Sequence, residues 1–81
     1  MNIAQRFLED LQNSKQVLIY CIEGDTLLEY TSTHIYHMTE GNYILLANDS
    51  GFQLMFFVNS ISRDEEEEQY QIGESIRISF F

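Results

Sequence analysis

The sequence predicts an α+β domain that is mostly β: one N-terminal helix followed by about five antiparallel strands, in a small barrel or a strongly bent sheet. Three observations predict it. Apolar residues recur at helical spacing only over residues 2–13. From Gln16 onward they alternate, or run continuously in short stretches, as strands do. Isolated glycines at positions 24, 41, 51 and 73, each beside at least one polar residue, mark turns between those stretches. A chain of 81 residues, 44% hydrophobic and 14% aromatic, is one domain over residues 1–81 with enough apolar material for a core.

The helix places Ile3, Ala4, Phe7, Leu8 and Leu11 on one face and Gln5, Arg6, Glu9, Asp10 and Gln12 on the other. Asn2 stands at the cap with Gln5 in the capping-box position, and Asn13, Ser14 and Lys15 close the helix, with Asn13 suited to a left-handed terminus. Next comes a strand with Val17, Ile19 and Cys21 on one side and Leu18, Tyr20 and Ile22 on the other, apolar on both and therefore central. After the Glu23-Gly24-Asp25 turn, Thr26 to Thr39 reads as one long or bent strand, rich in Thr, Tyr, Ile and Leu. Tyr43 to Ala47 and Phe52 to Asn59 form a hairpin about Asn48-Asp49-Ser50-Gly51, with Phe52, Leu54, Phe56 and Val58 on one face. An acidic stretch then leads to a turn at Gln71–Glu74 and a last strand, Ser75 to Phe81, with Ile76, Ile78 and Phe80 inward.

Phe7 to Leu27, "FLEDLQNSKQVLIYCIEGDTL", resembles the opening of bacterial Sm-like proteins of the Hfq type, in which a helix leads to an apolar strand and a glycine turn. Ile44 to Ser62, "ILLANDSGFQLMFFVNSIS", is similar to the second half of that family. The resemblance implies a small SH3/Sm-like barrel that assembles into an oligomer and binds RNA or protein. The basic, His-containing RNA-contacting motif of the family would fall at Phe57-Val58-Asn59-Ser60, where no Lys or His stands. The stretch from Gly24 to Ile44 is also several residues longer than the family pattern.

Charge narrows the function further. Thirteen acidic residues against four basic ones give a net charge of −9, and residues 64–81 alone carry six acidic residues and one arginine. Such a field repels phosphate and attracts basic surfaces, so direct nucleic-acid binding is not expected. The single Cys21 cannot close an intramolecular disulfide, and no apolar stretch has the length of a membrane span. Together with the lack of a leader pattern, this predicts a soluble cytoplasmic protein without a membrane partner.

No pattern of catalytic chemistry emerges. His34 and His37, at odd spacing in one strand, point to opposite faces and cannot jointly hold a metal. Cys21 lies among apolar residues, where a thiol packs as a small hydrophobe, and the glycines form no phosphate loop. The expectation is a non-enzyme without cofactor or metal. Most aromatic rings are expected in the core, with Tyr30, Tyr36 and Tyr43 partly exposed.

What remains is the run Asp64, Glu65, Glu66, Glu67 and Glu68. A block of like charge is commonly a solvated loop, but this one is held at both ends by apolar segments. With Tyr70 and Glu74 it is the candidate partner-binding set. The expected function is occlusion of a basic surface on a partner protein, a nucleic-acid-binding enzyme, in the manner of DNA-mimic inhibitors of phage or mobile elements. Exposed tyrosines or Phe81 would supply the apolar anchor. The alternatives are an Sm-like oligomeric module binding RNA or protein, and a structural subunit whose last strand pairs with another chain.

Overall fold

The computed structural model describes residues 2–81. Helix α1 spans Ile3–Asn13, and the capping box forms: Asn2 Oδ1 accepts from the Gln5 N–H at 2.9 Å, and Gln5 Oε1 accepts from the Asn2 N–H at 3.2 Å. The far end closes differently from expectation. Ser14 is extended at φ −93°, and both its N–H and its hydroxyl donate to the Leu11 carbonyl, so no left-handed residue is needed there.

Eight strands follow: β1 (Gln16–Cys21), β2 (Thr26–Thr31), β3 (Tyr36–Glu40), β4 (Tyr43–Ala47), β5 (Gln53–Phe57), β6 (Ile61–Asp64), β7 (Gln69–Ile72) and β8 (Ile76–Phe80). They make two antiparallel sheets, ordered β2-β1-β8-β7-β6 and β3-β4-β5. The fold is α+β and mostly β as expected, but the strand count exceeds the expected five and the sheets do not close into one barrel. The chain passes between them twice, at the single 3-10 turns Ser32–His34 and Val58–Ser60.

Two differences account for the count. The stretch from Thr26 to Thr39 is not one strand, because Ser32 breaks it. The Ser32 N–H donates to the Lys15 carbonyl at 3.0 Å, its hydroxyl meets that of Ser14 at 2.6 Å, and Ile35 N–H returns to the Ser32 carbonyl at 3.1 Å. A buried serine thus redirects the chain from one sheet to the other. The second difference lies at Ile61–Ile72, where the supposed loop is a hairpin of two four-residue strands, Ile61 opposite Ile72 and Asp64 opposite Gln69.

The core lies between the sheets. Val17, Ile19 and Ile78 come from the larger sheet and Ile44 and Leu46 from the smaller, all essentially inaccessible to solvent. Helix α1 fills the remaining gap with Phe7. Its ring stands edge-on to Phe56 of β5, Tyr70 of β7 and Phe80 of β8, with centroids at 5.6, 5.1 and 5.2 Å. One side chain therefore joins the helix to both sheets. No described helix is long and apolar enough to cross a membrane.

Candidate functional site

The acidic run forms the tip of the β6–β7 hairpin. Glu65, Glu66, Glu67 and Glu68 make the four-residue turn and all are exposed, while Asp64 closes β6. The turn is built locally. Asp64 Oδ1 accepts from the backbone N–H groups of Glu66 at 3.1 Å and Glu67 at 3.2 Å, using its side chain as a substitute for a backbone acceptor. Glu68 adopts φ 53°, in the left-handed region, which returns the chain into β7.

Neighbouring residues fix the tip from outside. Arg6 of α1 donates from Nη1 to Glu65 Oε1 at 2.9 Å and from Nη2 to Glu65 Oε2 at 3.4 Å. That hydrogen bond, with the attraction behind it, holds the Arg6 guanidinium above its usual pKa. Arg63 Nε lies 3.7 Å from Glu65 Oε2, a charge contact too long for a hydrogen bond. Glu65 is thus flanked by two arginines. Among the described residues, Glu66, Glu67 and Glu68 form no ion pair.

Tyr70 does not belong to the exposed set. It is fully buried, because β7 directs it toward Phe7 and Phe80. Its hydroxyl donates to Asp10 Oδ2 at 2.6 Å, and the Arg63 guanidinium lies 4.9 Å from its ring centroid. Burial first, and then the bond to Asp10, push the phenol well above its ordinary pKa. Tyr70 supports the hairpin from beneath.

Glu74 is exposed but lies in the β7–β8 turn, at the other end of β7 from the acidic tip. Four residues of strand separate the two turns by about 13 Å. Its neighbours are those of the β1–β2 turn: the Ser75 hydroxyl donates to Glu23 Oε1 at 3.3 Å, and the Ile22 N–H to the Ser75 carbonyl at 2.8 Å. The carboxylates named from the sequence therefore form one tip of five and a separate acid at the opposite end.

A cleft of about 370 Å³ opens beside the tip, between the C-terminal half of α1 and the hairpin. Glu67, Glu68, Asp10 and Arg63 line its polar side, with Phe80 and the exposed Phe81 on its apolar side. Neither Asp10 nor Arg63 carried a sequence signal for this place. Asp10 is one polar position of an amphipathic helix, 60 residues from the tyrosine it meets.

Among the described residues, no group of three or more His, Cys, Asp or Glu side chains is placed to hold a metal ion. His34 lies in the first 3-10 turn and His37 in β3, so they do not share a strand as expected. His37 Nε2 lies 3.4 Å from Gln12 Nε2. Cys21 is half-buried at the end of β1. No protein-family model, characterised protein or solved structure matches the chain.

Proposed function

We propose that this protein is a non-enzymatic binding module whose acidic hairpin occupies a basic surface of a partner protein, one that otherwise binds nucleic acid. The observation that supports the reading is the placement of Glu67 and Glu68 on one wall of a cleft whose other wall carries exposed Phe81. A lysine or arginine of the partner finds carboxylate acceptors and an aromatic face in one place. Because Asp64 and Glu65 are engaged in holding the turn, Glu66, Glu67 and Glu68 are the carboxylates free to pair with the partner.

The mechanism is competitive occlusion. The net charge of −9 speeds encounter with a basic surface, and the apolar contact of Phe81 slows dissociation. A turn whose backbone is fixed before binding loses little further entropy on docking. Nucleic acid itself is repelled by the same field.

The test is affinity capture from the native host with wild-type protein and with a Glu66→Gln, Glu67→Gln, Glu68→Gln triple variant as baits. The expected result is a basic, nucleic-acid-binding protein retained by the first at low salt, released as salt rises, and absent from the second. In a binding assay with its own nucleic acid, that protein should lose binding when the wild-type chain is added. Equal retention by both baits would remove the hairpin from the function.

A further inference from the structure

The outer face of the β3–β4–β5 sheet is as apolar as its inner face. The register places Met38, Leu45 and Met55 in one row across the sheet and Glu40, Tyr43 and Phe57 in the next, all directed away from the core. Tyr36, Met38, Tyr43, Met55 and Phe57 are 54%, 60%, 41%, 64% and 52% exposed. On the opposite side of β4, Ile44 and Leu46 are fully buried. A central strand that is apolar on both sides is the pattern of a sheet covered on both faces, yet helix α1 and the larger sheet cover only the inner one.

We propose that this face binds a second copy of the same chain, sheet against sheet, in a twofold dimer. Area and charge choose the occupant. Five side chains of about 200 Å² each, roughly half-exposed, offer about 500 Å², at the upper end of the apolar patches that monomers carry. A standard interface needs about 800 Å² per partner, which a polar rim at Glu40, Asn42 and Gln53 would complete. Glu40 is the only charged residue among the outward positions of the three strands, whereas the acidic hairpin belongs to the other sheet. Two copies can stack these faces without opposing their hairpins, and a basic partner would gain little from a face with one carboxylate.

The face suits self-association in detail. The Tyr43 and Phe57 rings already lie against each other, centroids 4.3 Å apart and planes tilted by 33°, so they enter an interface ordered. Met38 and Met55 are adaptable enough to interdigitate with their own copies across a sheet-to-sheet spacing of about 10 Å. A twofold axis makes the contact self-complementary and closed, so assembly stops at two.

The experiment is sedimentation equilibrium of the full chain over a range of concentrations, with Phe57→Glu, Met55→Lys and Leu27→Glu variants. Leu27, 54% exposed, lies on the other sheet and serves as the control. The expected result is a mass twice the 9.6 kDa of one chain, association weakened by roughly thirtyfold or more in the two sheet variants, and no change for Leu27→Glu. Circular dichroism reports whether each variant folds. Should the sheet variants fail to fold, the methyl resonances of Met38 and Met55 in the unaltered protein decide, shifting with concentration if the face is the interface. A monomer at all concentrations up to about 0.2 mM, above the micromolar affinity expected of such an area, overturns the proposal. So does a closed ring larger than a dimer, a dimer whose affinity the folded sheet variants leave unchanged, or methionine methyls that do not move.

Discussion

The Tyr70 hydroxyl donates to Asp10 Oδ2 at 2.6 Å, a bond that spans 60 residues and fastens the acidic hairpin to helix α1. Arg6, one helical turn earlier than Asp10, makes the second tie by reaching Glu65 at the tip. The hairpin lies at the sheet edge, and the helix holds its tip twice, at Glu65 within the turn and at Tyr70 two residues beyond it.

The Tyr70 phenol carries a pH dependence. Its pKa in the folded protein is raised above the value of about 10 that an unfolded tyrosine has. The stabilisation is therefore fully present below about pH 10 and is lost as pH rises toward the folded value, because the unfolded chain releases the proton first. Urea unfolding of the wild type should weaken above pH 10 by up to about 1.4 kcal/mol per pH unit from this group. The Tyr70→Phe variant should lack that component and be less stable by about 1 kcal/mol at neutral pH, where Asp10 loses its donor.

Phe7→Ala should be among the most damaging single changes. The ring is fully buried and touches three others from both sheets, so its removal opens a cavity that no single element can collapse to fill. A loss of about 3–5 kcal/mol is expected, a large part of the total stability of a domain this small. Denaturant midpoints, or the absence of a cooperative transition, measure it.

Glu68→Gly should stabilise the protein by about 1 kcal/mol. A side chain at φ 53° is disfavoured, whereas glycine occupies the left-handed region freely. Thermal unfolding reads the gain, and Glu68→Ala should show none of it.

Asp64→Ala should destabilise by about 1 kcal/mol, because the N–H groups of Glu66 and Glu67 lose their acceptor. Asp64→Asn keeps an acceptor oxygen and should lose less. If fixed geometry matters to binding beyond charge, Asp64→Ala should also weaken partner capture more than Asp64→Asn, although both remove one carboxylate.

Asn2→Ala should cost about 1 kcal/mol through loss of the capping box, with reduced helical signal in circular dichroism.

Local signals fixed those parts of the fold in which neighbours in sequence are also neighbours in space. The capping box needs only Asn2 and Gln5, and the β4–β5 hairpin is set by Asn48, whose side chain accepts from Ser50 and Phe52, and by Gly51 at φ 97°. The last strand followed from its strict alternation. The β6–β7 hairpin was not legible, because Ile61, Tyr70 and Ile72 are too few apolar residues to show alternation on either side of a charged run.

The sequence by itself determined that the chain is acidic, mostly β, led by a capped helix, and that its charge gathers at residues 64–68. Tertiary structure alone decided what that charge is attached to. It buried Tyr70 beneath the tip, because the helix brings Phe7 and Asp10 to β7, and it sent Glu74 to the opposite end, because successive turns of antiparallel strands alternate ends. It also left Met38, Tyr43, Met55 and Phe57 on an outer face, since among the described residues helix α1 and the larger sheet cover only the inner side of β4. Alternation tells which residues share a face of a strand; only packing tells which face the core receives.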